Sequence, residues 1–171
     1  MNMPNLLTLF RMFLIPVFIL VFFSTINNSF IYSIYIFFIA GFTDILDGYL
    51  ARKHNLITKW GIVLDPLADK LMLLTVLACL TLKNLIPSSV LIVITIKEVA
   101  MIIAGVTLYN NNLVIPSNIL GKISTFIFYL AILVLNFNIL YGKYLLYLAV
   151  ISAIVAFFNY LILYIKKRDE A

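Results

Sequence analysis

A chain of 171 residues that is 64% hydrophobic and 11% charged, with a mean hydropathy of +1.13, cannot hide its apolar surface in a water-soluble core, so its solvent is the bilayer. The net charge of +5 is no nucleic-acid signal, because the basic residues gather at the ends of apolar runs. A single cysteine, Cys79, excludes a disulfide framework.

The pattern predicts an all-α polytopic membrane protein: six transmembrane helices behind a short N-terminal interfacial segment, in one integral membrane domain over 1–171. Residues 1–10 read as an amphipathic lead-in, with Asn5 or Thr8 available for capping. The first helix runs to about Phe23. It is expected to be retained, since Pro4 and Arg11 interrupt a signal-like start and Ser24-Thr25-Ile26 is no small-residue cleavage site. The second helix is predicted over about 30–52 and, after a basic connection containing His54, the third over about 60–82. Pro87 and Ser88-Ser89 open the fourth, which ends near Tyr109; Asn110-Asn111-Asn112 and Pro116-Ser117-Asn118 form the next turn. The fifth covers about 119–137 and the sixth about 143–165. Arg11, Arg52, Lys53, Lys59, Lys122 and Lys166-Lys167-Arg168 would share one side and Lys83 and Lys143 the other, which turns both termini to the cytoplasm. An Ile-, Asn- and Lys-leaning composition suggests an AT-rich bacterial genome, hence a bacterial cytoplasmic membrane.

Of seven acidic residues, four lie between positions 44 and 69: Asp44, Asp47, Asp65 and Asp69. One carboxylate at the centre of a membrane helix costs about 2.5–3.5 kcal/mol. Four unpaired ones would cost on the order of 10 kcal/mol, comparable to the net stability of a typical protein. Something cationic must sit among them, and a divalent metal in a polar cavity is the cheapest explanation. Asp44 and Asp47 stand at i and i+3 on one helix face, Asp65 and Asp69 at i and i+4 on the next helix. An antiparallel hairpin would bring both pairs to the same depth, as a four-carboxylate cup open to the cytoplasm. Gly48 and Ala51 keep the same face free of bulk, so that a ligand or a backbone can approach. Oxygen-only donors facing phosphate suit Mg²⁺ or Mn²⁺, and two such ions about 3.5–4 Å apart form the usual phosphoryl-transfer pair. A carboxylate not fully committed to metal can take a proton from an attacking hydroxyl. Arg52 and Lys53 lie one turn beyond, placed for phosphate oxygens. The bland alternative is a structural ion-pair network, for which Lys70 adjoins Asp69.

Taken together, Asp44-x2-Asp47-Gly48-x2-Ala51-Arg52-x8-Gly61-x3-Asp65-x3-Asp69 resembles the signature of the CDP-alcohol phosphatidyltransferases, with every position and spacing present. Two further stretches, Pro4-Asn5-x2-Thr8-x2-Arg11 and Asp65-Pro66-Leu67-Ala68-Asp69-Lys70, are most similar to family members that use glycerol 3-phosphate. The resemblance implies transfer of a phosphatidyl group from CDP-diacylglycerol to an alcohol, with release of CMP, in phospholipid biosynthesis. It implies Asp44, Asp47, Asp65 and Asp69 as ligands of a two-metal Mg²⁺ or Mn²⁺ site, with Asp69 also the general base. It places Gly48, Ala51 and Arg52 around the CMP portion and Gly61 near the metal-binding face, and it implies a homodimer.

The acceptor is read from less. Family members that use glycerol 3-phosphate commonly carry an Arg-Glu pair on the fourth helix and a second Arg about eight residues later. Here the chain has Lys97-Glu98 and then Ala104-Gly105-Val106, and Lys does not replace a bidentate Arg. Gly121-Lys122-Ile123-Ser124-Thr125 does match the Gly-Lys segment that follows. Lys97 and Lys122 are therefore candidate ligands of an acceptor phosphate, as in glycerol 3-phosphate; otherwise they snorkel or anchor at the interface. Phosphatidylglycerol is the alternative acceptor, as in a cardiolipin synthase of the CDP-alcohol type. A cation or proton transporter is a distant alternative, which would show repeat symmetry rather than four acids in one hairpin. Glu98 is an intramembrane acid whose expected partner is Lys97 or a cavity lysine.

Overall fold

The computed structural model describes residues 3–53, 59–110 and 119–169; within the helices, the side chains of 3–5, 51, 52, 59–63, 65, 66, 105–110 and 166–169 also lie outside the described set. The described residues form six helices: α1 (Met3–Phe22), α2 (Ser29–Lys53), α3 (Lys59–Leu82), α4 (Ser88–Asn110), α5 (Ile119–Phe137) and α6 (Ile139–Asp169). The all-α membrane reading is met. Among the described residues, Ser29–Leu50, Ile119–Phe137 and Ile139–Ile165 are long and apolar enough to cross a bilayer, and Leu6–Phe22 is a shorter apolar stretch. Helix α3 carries Asp65, Asp69 and Lys70, which lower its apolar character. The turn expected at Pro116-Ser117-Asn118 and the loop residue His54 lie outside the described residues.

The helices divide into two compact units, Met1–Asn84 and Leu85–Ala171. In the first, α1 packs against both α2 and α3. Its core is Phe18, Phe22, Phe37, Met72, Val76, Leu77 and Leu80, with Phe18 stacked on Phe22 at 5.6 Å between centroids. The predicted lead-in is no separate segment: the helix runs unbroken from Met3 through Pro16 to Phe22. Asn84 closes α3 in the left-handed conformation (φ 56°), which Asn tolerates better than most residues, and its N–H bonds the Thr81 carbonyl at 2.9 Å. Beside it, Lys83 donates to the carbonyl of Phe22 at 2.7 Å and lies 4.5 Å from that residue's ring centroid. A cation thus meets the negative end of α1 and satisfies one of its last carbonyls.

In the second unit, α6 packs on α5 and on α4. Phe128, Ala131, Ile132 and Leu135 of α5 are buried, as are Leu146, Ala149, Ala153 and Ala156 of α6. The alanines, three or four residues apart, let the helix backbones approach. The link between α5 and α6 is one residue, Asn138. Its side-chain oxygen accepts the N–H groups of Leu140 (3.0 Å) and Tyr141 (3.2 Å), so α6 begins one turn before the predicted Lys143. Gly142 permits the close turn: a Cβ there would lie 2.6 Å from the Leu135 backbone.

Candidate active site

Helix α2 sets the first acid pair. Asp44 and Asp47 are described, and Thr43 between the apolar positions satisfies its hydroxyl internally on the Ala40 carbonyl at 2.7 Å. The carboxylates differ in setting: the Asp44 side chain is 39% exposed, that of Asp47 only 2%. Both meet one cation, Arg11 of α1. Its Nη1 lies 2.6 Å from Asp44 Oδ1, and its Nη2 donates to Asp47 Oδ2. The Arg11 side chain is 1% exposed.

Position Arg11 therefore departs from its expected place at a helix end. It stands inside α1 and is buried, because its partners are buried. A guanidinium stays charged in any protein setting, and its planar fork matches two carboxylate oxygens in a way an ammonium cannot. Removing one member of such a buried pair costs about 3–5 kcal/mol, since the survivor is left as an uncompensated charge. The cation demanded by the acids is thus, for Asp44 and Asp47, supplied in part by the chain itself. Thr8, one turn before Arg11, is also buried. The signal was available: an arginine within an apolar helix calls for a partner as much as an aspartate does.

The second acid pair belongs to α3, where Asp69 is half-buried next to fully buried Ala68. The side chains of Asp65, Ala51, Arg52 and Gly61 lie outside the described residues, so the closure of the four-acid cup rests on the sequence register. Among the described residues no three His, Cys, Asp or Glu side chains gather into a metal-binding group, and Asp65 is not among those residues. The described acids offer carboxylate oxygens, one of them half-open to solvent, and that donor chemistry fits a hard divalent cation. Gly48 follows Asp47 directly on α2. Lys53, exposed at the end of α2, has its ammonium 5.6 Å from the centroid of the Tyr49 ring, one turn back.

In the other unit, Lys97 and Glu98 of α4 form an ion pair at 2.6 Å, with side chains 16% and 6% exposed. Lys97, one of the partners expected for Glu98, is thus observed against it. Lys122 is exposed on α5, and Thr125 donates to the carbonyl of Gly121 at 3.1 Å. A Cβ on Gly121 would meet nothing within 4 Å, so internal packing does not require glycine there.

Residues 1–155 match the family model described as CDP-alcohol phosphatidyltransferase. The chain is 36% identical over 160 residues to a protein of Rickettsia felis, covering 90% of this chain and 84% of that one. It is 35% identical to a Rickettsia bellii protein over 170 residues, 93% of each. A Bacillus subtilis protein is 38% identical over 136 residues, 72% of this chain and 70% of the relative. Each of the three is named CDP-diacylglycerol--glycerol-3-phosphate 3-phosphatidyltransferase.

Proposed function

The chain belongs to the CDP-alcohol phosphatidyltransferase family and is a membrane-integral transferase, and from that premise we propose that it moves the phosphatidyl group of CDP-diacylglycerol onto glycerol 3-phosphate. Such activity is that of a phosphatidylglycerophosphate synthase. The observation that carries the reading is the complete acid signature from Asp44 to Asp69 in a chain whose relatives, matched over most of their length, bear that enzyme's name.

The chemistry follows from the residues. A hydroxyl oxygen of the acceptor attacks the lipid-side phosphorus of the diphosphate, a new P–O bond forms, and the P–O bond to CMP breaks. Asp69 accepts the hydroxyl proton, and CMP departs as the phosphate monoester. Asp44, Asp47, Asp65 and Asp69 would hold Mg²⁺ or Mn²⁺, which when bound supplies neutralising charge to the diphosphate. Gly48, Ala51 and Arg52 border the nucleotide, with Gly61 near the metal-binding face. Lys122, exposed, and Lys97, held by Glu98, serve the acceptor phosphate. The acids and both termini face the cytoplasm, where glycerol 3-phosphate and CMP are soluble, and the whole chain acts as one catalytic domain.

The test is CMP release by purified protein in detergent, given CDP-diacylglycerol, Mg²⁺ or Mn²⁺, and one acceptor at a time. CMP should appear with glycerol 3-phosphate and not with phosphatidylglycerol, and a chelator should abolish it until metal is restored. Release with phosphatidylglycerol alone would move the chain to the cardiolipin-forming reaction. Full activity in chelator would remove the metal from the reading.

A further inference from the structure

Arg11 belongs to neither helix of the acid signature, yet it touches two of the four acids through separate nitrogens. Each nitrogen engages one oxygen of its carboxylate: Oδ1 of Asp44 at 2.6 Å, and Oδ2 of Asp47. The two nitrogens share one rigid plane, so the fork fixes the separation and tilt of carboxylates that stand three residues apart on α2. Asp44 has 39% of its side chain exposed and Asp47 only 2%, so the fork ties a half-open carboxylate to a buried one. The fork is itself enclosed, since the Arg11 side chain is 1% exposed and neighbouring Thr8 is buried as well. The charges sum to −1 for the triad, so a dication is still attracted to it.

On these grounds, and resting on the reading of Asp44 and Asp47 as ligands of a divalent cation, we propose that Arg11 is a positioning residue. It orients the two carboxylates before the cation arrives and acts through them. Groups that orient metal ligands from behind typically change metal affinity or activity by about 10–100-fold when removed. Two other roles for the same contact make different predictions. A competing internal cation would weaken metal binding, so its removal would tighten affinity. A tether that only joins α1 to α2 would change stability and leave affinity alone.

The experiment is Mn²⁺ binding to purified protein in detergent, read as free Mn²⁺ by electron paramagnetic resonance with no lipid or nucleotide present. Arg11→Met should weaken binding by about 10–100-fold. Arg11→Lys keeps the charge without the fork, so it should bind Mn²⁺ more weakly than the unsubstituted chain but better than Arg11→Met. Lys83→Met removes a contact of the same unit away from the acids; it should lower thermal stability and leave Mn²⁺ affinity unchanged. If Arg11→Met does not fold, Arg11→Lys decides: weakened binding supports positioning, whereas unchanged or tighter binding overturns it. Failure of the underlying reading looks different. There, the unsubstituted chain would bind no Mn²⁺ while still releasing CMP, and the roles of the acids and Arg11 would fall together.

Discussion

In the Met1–Asn84 unit, α1 and α2 are joined by a buried ion pair between Arg11 and Asp47, with Asp44 at its exposed edge. In the Leu85–Ala171 unit, α5 and α6 pack together with Phe128, Ala131, Ile132 and Leu135 buried on one and Ala149, Ala153 and Ala156 on the other, with one asparagine as the whole link. Both are built from sequence apolar enough for the bilayer. In the second, the part-buried Lys97–Glu98 pair lies within α4, and the α5–α6 pair shows that close helix packing there needs no charge, only small residues, a cap and a glycine at the tight turn. Charges buried in the first are therefore not needed for packing as such. A buried ion pair is often no better for stability than apolar residues of the same shape, so its presence points to chemistry.

The largest effect is expected at Asp69→Asn, which should lower turnover by about 10²–10⁴-fold while leaving CDP-diacylglycerol binding largely intact, as checked by single-turnover rates and donor binding. Near-normal turnover would take the base role from Asp69. Next comes Gly142→Ala in the unit held by packing. A methyl group 2.6 Å from the Leu135 backbone forces α5 and α6 apart, at a cost of about 1–3 kcal/mol in thermal unfolding, with KM values unchanged. An unaltered Tm would mean that the hairpin relaxes freely.

Smaller effects sharpen the contrast. Asn138→Ala removes the oxygen that accepts two N–H groups of α6 and should cost about 1 kcal/mol; hydrogen exchange should rise at Leu140 and Tyr141 first. Lys122→Ala should raise KM for glycerol 3-phosphate more than KM for the donor. The reverse order would assign Lys122 to the nucleotide.

Much of this was legible in the chain. The helix spans follow from apolar runs, and the observed starts of α2 to α5 fall close to their predicted positions; α1 absorbs the expected lead-in, and the other exception is α6. It begins early because Asn138 caps it, a signal weaker than Tyr141-Gly142-Lys143, which reads as a break. The Asp44–Asp47 pair was legible because i, i+3 spacing places residues on one face of any α-helix. Glu98 and Lys97 were legible for a similar reason, being neighbours in an apolar stretch with few other partners.

Arg11 shows where such reading stops. Sequence alone determined the all-helical membrane architecture and the faces that carry the acids, because hydropathy and helical repeat are local properties. Which cation stands against Asp44 and Asp47 was decided by tertiary packing: Arg11 and Asp47 are 36 residues apart, and no local periodicity links positions on two separate helices. The cost of leaving either charge unpaired says that a partner must exist. Only the packing of α1 on α2 says which one it is.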